Sequence, residues 1–282
     1  MAQYWVLMVL FYGVSKGLRD GMKKLALQKN SLMEVLLFHS ALAFLFTVPT
    51  VENVFAIPPV FYLLIFAKSF IIFLAWMFSF RSLSKLPLSS FGILEMSSVV
   101  FSTMLGVFLL GEKLYIRNIA GLLLVLSGIF LVNVHRGEDA NKGDIKYIWL
   151  ALASCLLNAT SGTMDKIYTN YVTAGQLQFW YMFFMVMLYI IYIVATRTKI
   201  SFSALKSNQW IWLLSILFVL ADRALFVANS SPDSSVTVMT LIKQSCVLVA
   251  ILFGKFVFNE KNILYKLFCS LLIITGILCV TL

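Results

Sequence analysis

Charged residues inside long apolar stretches are the residues of this sequence best suited to chemistry. Glu95 lies eight residues into a stretch that begins at position 87, about 12 Å along a helix that rises ~1.5 Å per residue. Lys243 has the matching place 148 residues later. If these stretches cross a bilayer, each charge costs roughly 3 kcal/mol there. We expect the two to bind oppositely charged ends of a substrate or to form a gate; a structural ion pair between the two halves is the alternative.

Four further residues are candidates for the same site. Lys68 lies about 15 Å along its stretch by the same rise, where it either binds substrate or snorkels to the membrane surface. Asp222 and Arg223 point about 100° apart on a helix, so one faces a cavity and the other a neighbouring helix; we expect substrate binding by Arg223 and coupling or gating by Asp222. Asn158, a further binding candidate, belongs to a polar stripe that should face protein or water. The other members of that stripe are Ser154, Ser161 and Asp165.

Coupling, gating and stacking have their own candidates. His39 titrates near neutral pH and could carry a coupling proton, although a hydrogen-bonded packing histidine explains it too. Lys16 and Asp20 lie on one strip of the first helix, four residues apart, which suits a gate or a helix end that emerges at the cytosolic interface. Trp76 could stack on a planar or cationic substrate or pack against a neighbouring helix.

The first helix also carries glycines at four-residue spacing. Gly13, Gly17 and Gly21 lie on one face, where residues without side chains let another helix approach closely. The segment from Gly13 to Gly17 matches the GxSxG pattern of hydrolases, but that motif needs a strand, a tight turn and a helix. Because the segment lies within a continuous apolar stretch, we do not expect an enzyme.

Composition limits the class of protein. Of the 282 residues, 61% are hydrophobic and only 12% are charged, about half the charged share of a typical soluble domain. The chain is therefore expected to be a multi-pass membrane protein. Its net charge of +10 is scattered between apolar stretches without a basic face, which suits loops near anionic lipid and not nucleic acid. No Cys/His spacing suggests a metal site, and no cofactor is expected.

The apolar stretches predict an all-α membrane protein with ten transmembrane helices, since each crossing takes roughly 20 residues. Punctuation between the stretches comes from prolines and short polar segments. The predicted helices are 2–26, 31–49, 58–81, 87–110, 115–134, 146–170, 174–196, 208–230, 234–257 and 262–282.

The two halves of the chain resemble each other. With an offset of 148, Gly106 corresponds to Gly254, Glu112-Lys113 to Glu260-Lys261 and Gly128-Ile129 to Gly276-Ile277. Nearer the start of each half the offset is 142. Five helices per half place the second copy in the opposite orientation, so we predict two inverted five-helix repeats, 1–138 and 139–282.

Basic residues in the loops bear on orientation. We count 14 Lys and Arg residues in the odd-numbered loops, with four of them (Arg19, Lys23, Lys24 and Lys29) in the first, against three on the other side. The positive-inside rule then places the odd loops in the cytosol and both termini outside.

The segment from Leu83 to Val134 resembles the EamA-type repeat of the drug/metabolite transporter superfamily, in which the fourth helix ends in a Gly-Glu turn before a glycine-containing fifth helix. Ile242 to Leu282 repeats its latter part. The second-half turn departs from the pattern as Asn259-Glu260, and neither fourth helix has the proline common in the family. The resemblance implies a ten-helix transporter with a cavity lined by helices one, three, four, six, eight and nine. It also implies cytosolic termini, against the charge count.

Together these features predict a secondary-active transporter that moves a small polar, zwitterionic or anionic, amino-acid-like metabolite by alternating access. A flippase for lipids or lipid-linked substrates is one alternative, and a transporter of an organic cation held by Glu95 and Trp76 is another. The expected partners are a small-molecule substrate, membrane lipid and a coupling proton or counter-substrate. The plasma membrane is the expected location.

Overall fold

The computed structural model describes residues 4–51, 53–110, 119–121, 123–124, 127–128, 131, 144–203, 207–231, 239 and 242–281. Within these ranges the chain is helical and has no strand, which confirms the all-α prediction. The helices are α1 (Tyr4–Lys29), α2 (Leu32–Thr47), α3 (Pro59–Leu83), α4 (Leu88–Glu95), α5 (Ser97–Leu110), α6 (Asp144–Tyr168), α7 (Ala174–Thr196), α8 (Gln209–Asn229), α9 (Ser245–Phe258) and α10 (Ile263–Thr281).

The ten helices of the described residues differ from the ten predicted ones. The fourth predicted segment, 87–110, forms the two helices α4 and α5. Most of the fifth, 115–134, lies outside the described residues, as do the proposed boundary at 138/139 and the Glu112-Lys113 turn. The first helix also extends to Lys29. The four basic residues assigned to the first loop therefore lie in a helix, and the charge count for orientation loses its largest contribution.

Two helices begin with the same capping arrangement at equivalent places. Ser31 and Glu34 form a capping box before α2, and Thr173 and Gln176 form one before α7. In each, a hydroxyl accepts a backbone N–H at the start of the helix while the longer side chain accepts the N–H of the cap residue. Both pairs are 142 residues apart, the offset found near the start of each half.

Four helical spans are long and apolar enough to cross a membrane: α3, Leu88–Leu105 through α4 and α5, α7 and α8. Shorter apolar helices cover Leu32–Thr47, Ser245–Phe258 and Ile263–Gly276. Helices α1 and α6 are as long as the four spans, but they carry charged and polar residues. A charge in hydrocarbon is expensive, so these residues must face protein or water.

The most extensive helix contacts join the first half of the chain to the second. Helix α1 packs against α8 and α9, and α3 packs against α6 and α7. Helix α2 contacts α7 and α8, α5 contacts α6, and α4 contacts α9. Among the described residues, the hydrophobic core therefore lies between the halves, and each core cluster combines residues of both.

The two fourth helices are interrupted at equivalent positions. A turn at Met96 separates α4 from α5, and a turn at Gln244 precedes α9. The Val99 N–H donates to the Met96 carbonyl at 3.1 Å, and the Val247 N–H donates to the Gln244 carbonyl at 3.0 Å. These bonds span three residues and so tighten the helix locally. Both interruptions lie 148 residues apart and directly follow Glu95 and Lys243.

The glycine stripe of α1 faces α9 and the turn before it, as its spacing predicts. A Cβ atom at Gly13 would collide with the Ser245 hydroxyl, and one at Gly17 would lie 2.5 Å from the Cys246 carbonyl oxygen. At Gly21 it would lie 2.6 Å from the Phe253 ring. Real Cβ atoms do not approach other atoms so closely, so only glycine permits this helix contact.

A carboxylate from the second half caps the first half's fourth helix. Glu260, in the turn between α9 and α10, accepts the Leu88 N–H at 2.6 Å and the Ser89 N–H at 3.3 Å, as well as the Ser89 hydroxyl. Its carboxylate also pairs with Lys266 at 3.1 Å and Lys24 at 3.8 Å. An acidic group at a helix N-terminus is stabilised by the free N–H groups and the helix dipole, so this contact ties the halves together.

A charged cavity between the two halves

A cavity of about 320 Å³ lies among helices of both halves. This volume is within the range of pockets that bind small molecules. The resemblance implied a cavity lined by helices one, three, four, six, eight and nine, and residues from all six of them line this cavity. His39 of α2 and Tyr181 of α7 line it as well. Its charged members are Lys16, Arg19, Lys23, Lys68, Glu95, Asp165, Lys166, Asp222 and Lys243.

Glu95 is held by the first helix. Its carboxylate forms an ion pair with Lys16, whose ammonium lies 3.5 Å from Asp20. Asp20 in turn pairs with Lys23 at 2.7 Å. The direct Glu95–Lys243 pair considered from the sequence is not among the ion pairs of the described residues. Lys16 reaches Glu95 from another helix and pairs with it instead.

Lys68 joins α3 to α6 inside the protein. Its ammonium lies 2.9 Å from an Asp165 carboxylate oxygen and 4.0 Å from the centre of the Tyr181 ring. Only 1% of Lys68 is exposed, so the alternative that it snorkels to the membrane surface is wrong. A buried lysine of this kind is stable only when paired, and Asp165 supplies that pair within the cavity wall.

Lys243 and Asp222 both line the cavity without an ion-pair partner among the described residues. The Lys243 ammonium lies 5.8 Å from the centre of the Tyr12 ring. Asp222 is buried on α8. Because neither forms a direct ion pair with the described residues, each can interact with a bound molecule, and together they offer one charge of each sign.

Arg19 is a site residue that the sequence reasoning missed. It is 4% exposed and lines the cavity between two aromatic rings, with its guanidinium carbon 5.3 Å from the Tyr12 ring centre and 4.9 Å from that of Phe218. Within the described part of the chain, its Nε and Nη1 atoms have no hydrogen-bond partner. Counting Arg19 as a loop residue concealed its position. The detectable signal was its helical spacing of three from Lys16 and seven from Tyr12, which puts all three on one face.

His39 and Trp76 lie together at the cavity wall. The rings stack with centres 5.4 Å apart, and both meet Phe218 edge-on. His39 Nδ1 forms a hydrogen bond of 2.9 Å with the Ser215 hydroxyl, while Nε2 is buried without a partner. His39 is therefore held by packing and one hydrogen bond and keeps a second polar atom unused.

The remaining predicted site residues are divided between the cavity and its surroundings. Asn158 lines the cavity and donates to the Ser154 carbonyl at 2.9 Å. Asp20 is not among the lining residues and forms ion pairs with Lys16 and Lys23, which are. Arg223 is not among the lining residues; its Nε donates to the Gln178 side chain of α7 at 2.8 Å. Of the adjacent Asp222 and Arg223, the acid thus faces the cavity and the base faces a neighbouring helix.

Comparison with known families agrees with this architecture. Residues 3–134 match the sequence model of the EamA-like transporter family. The matched segment is a little under half of the chain and corresponds to the first predicted repeat. The family is part of the drug/metabolite transporter superfamily, so the resemblance seen in the sequence is confirmed. Its members are membrane transporters of small molecules and not enzymes, and this EamA-like chain is an integral multi-pass membrane protein.

A solved structure supports the fold over both halves. A protein crystal structure superimposes on the EamA-like chain with a TM-score of 0.64, covering 97% of this chain and 96% of its own. The sequences are 13% identical, so the likeness concerns the fold alone. No curated protein matches the sequence.

Proposed function

We propose that this chain is a secondary-active transporter that moves a small anionic or zwitterionic metabolite, of the size and polarity of an amino acid, across the plasma membrane. The observation that carries the proposal is the charge of the cavity. Six cationic side chains line it against three carboxylates. Like charges around a low-dielectric cavity attract a ligand of the opposite sign, so the lining favours a substrate with at least one negative group.

The ion pairs narrow the expected substrate further. Glu95 and Asp165 are engaged by Lys16 and Lys68, so neither carboxylate is a free partner for a cation. Asp222 is the lining carboxylate without such a pair among the described residues. A zwitterion can therefore place its negative group at the cationic part of the lining and its ammonium near Asp222. This arrangement argues against the organic cation that Glu95 and Trp76 suggested.

The contacts between helices support transport by alternating access through inverted repeats. Exchanging the halves turns the α1–α8 contact into α3–α6, α1–α9 into α5–α6, and α2–α8 into α3–α7. The α2–α7 and α4–α9 contacts exchange with themselves. The paired capping boxes and paired interruptions follow the same correspondence. Inverted repeats with discontinuous helices at the binding site are typical of secondary transporters, and a proton or counter-substrate would drive the cycle.

Uptake into proteoliposomes tests the proposal. The panel contains radiolabelled amino acids, dicarboxylates and quaternary amines, each measured with and without an imposed proton gradient. We expect uptake of an anionic or zwitterionic compound and its loss in Lys243→Ala, while Lys261→Ala, at an exposed turn residue, keeps the wild-type rate. Uptake of amines alone, or full activity of Lys243→Ala with the active compound, would contradict the proposed substrate class and site.

A further inference from the structure

Arg19 and His39 flank the same aromatic ring inside the cavity. The Arg19 guanidinium lies 4.9 Å from the centre of the Phe218 ring, and the His39 ring lies 5.1 Å from that centre and meets it edge-on. We propose that Arg19 and His39 form a subsite for a carboxylate group of the bound molecule. The inference rests on the proposed function, because it specifies how the cavity would bind the negative end of its substrate.

Both residues have unused hydrogen-bonding capacity. Arg19 and His39 are 4% and 1% exposed, and three of their nitrogen atoms (Arg19 Nε and Nη1, His39 Nε2) are buried without a hydrogen-bond partner among the described residues. Buried polar atoms are almost always hydrogen-bonded, and leaving one unpaired is costly. Two such residues beside one ring indicate a site that is completed by a ligand.

Arg19 differs from other buried cations of the cavity in the groups that face it. Lys16 and Lys68 each have a carboxylate of the protein as partner. Arg19 has no carboxylate within ion-pair distance among the described residues, and aromatic rings face it instead. Stacking on rings fixes the plane of a guanidinium while leaving its N–H edge available. That edge matches the two oxygens of a carboxylate.

The charge of the cavity also limits the ligand. Among the described residues, Lys243 likewise lines the cavity without an ion-pair partner, while the lining carboxylate Asp222 is opposite in sign to both Arg19 and Lys243. One fixed arginine with a neutral hydrogen-bonding ring suits a planar monoanion. A doubly charged phosphate would require more unmatched cations than this wall provides.

Binding of benzoate to the purified full-length chain in detergent tests the subsite. Benzamide has the same shape without the charge, and phenyl phosphate replaces the carboxylate by a tetrahedral dianion. We expect the wild type to bind benzoate more tightly than either analogue. Arg19→Met should weaken benzoate about 10- to 100-fold, the usual effect of losing a hydrogen bond to a charged group, and leave benzamide unchanged. His39→Phe should weaken benzoate about 2- to 10-fold.

Controls separate binding from folding. Arg81→Gln, at an exposed residue at the end of α3, should bind benzoate like the wild type. Arg19→Met should not lower the ligand-free Tm, because it removes an unpaired buried charge, whereas a structural role would lower it. Arg19→Lys keeps the charge without the planar edge and should bind benzoate with intermediate affinity.

Several outcomes would overturn the subsite: equal wild-type affinity for benzoate and benzamide, tighter binding of phenyl phosphate, or full benzoate affinity in Arg19→Met. These results are independent of the uptake experiment. Arg19-dependent benzoate binding in a protein without uptake activity would sink the transport proposal and leave the subsite standing. Uptake of a metabolite by a protein whose benzoate binding does not depend on Arg19 would refute the subsite and leave the transport proposal standing.

Discussion

Glu260 is the residue whose replacement gives the sharpest test of how the halves are joined. In Glu260→Ala, the N–H groups of Leu88 and Ser89 lose their carboxylate acceptor. Lys266 and Lys24 lose the ion pair with that carboxylate. Glu260→Gln keeps an acceptor oxygen but removes the charge. The two variants therefore separate the hydrogen bonds of the cap from its electrostatic part.

The size of the effect follows from these contacts. Loss of a helix N-cap costs about 1 kcal/mol, and loss of a negative charge at the helix N-terminus about 0.5 kcal/mol. The two ion pairs add about 0.25 kcal/mol each, since all three side chains retain some exposure. We expect a destabilisation of about 2 kcal/mol for Glu260→Ala and about 1 kcal/mol for Glu260→Gln. In a chain of this size 2 kcal/mol lowers the Tm by about 4–8 °C.

The effect should depend on pH in a defined direction. Burial raises the pKa of Glu260, but the Ser89 hydroxyl and the Lys266 ammonium outweigh burial and hold the pKa below its usual value. The folded-state pKa is thus lower than the unfolded one. The stabilisation is complete above the ordinary carboxyl pKa of about 4 and is lost as the pH falls through the lowered value. The wild type and Glu260→Gln should differ at pH 7 and converge in acid.

Thermal unfolding of the detergent-purified protein, followed by intrinsic tryptophan fluorescence at several pH values, measures both effects. Lys261→Ala is the matched control, because this neighbouring residue is exposed and should leave the Tm unchanged. A Tm of Glu260→Ala within 1 °C of the wild type at pH 7 would refute the cap as a stabilising contact. A difference between wild type and Glu260→Gln that persists well below pH 4 would refute its electrostatic origin.

Two further predictions concern packing and a buried ion pair, both measured as Tm. Gly17→Ala should lower the Tm strongly, because the new Cβ would lie 2.5 Å from a backbone oxygen. Gly162→Ala is the control and should leave the Tm unchanged, because a Cβ there meets no atom within 4 Å. Equal effects of the two variants would contradict the close helix contact. Lys68→Met should destabilise by about 3 kcal/mol through the unpaired Asp165, and adding Asp165→Leu should restore most of the stability. A double variant as unstable as the single would show that the pair itself is required.

The helical fold was predictable because apolar stretches and their punctuation are local properties of the chain. The equivalent places of Glu95 and Lys243 in the two halves followed from the 148-residue offset alone. Their partners did not, because depth along one helix does not specify which neighbouring helix faces a residue. Lys16 lies 79 positions from Glu95, and only the packing of α1 beside α4 brings the two together.

Neither the turn at Met96 nor the burial of Arg19 was predicted from the sequence. The turn at Met96 contains no proline or glycine, so the segment 87–110 read as one helix. Arg19 read as a loop residue because a charge near the predicted end of a helix is usually solvated. In the structure it is buried, and its guanidinium lies beside two aromatic rings.

The glycine contact between α1 and α9 restricts which parts of the protein can move together. Helix α1 comes from the first half and α9 from the second, and the glycine face of α1 lies directly against atoms of α9. Sliding or separating these helices would open a gap that glycine cannot fill, so they should travel as one rigid body. The moving and stationary parts of a transport cycle would then each combine segments from both repeats, and the hinge would not coincide with the junction in the middle of the sequence.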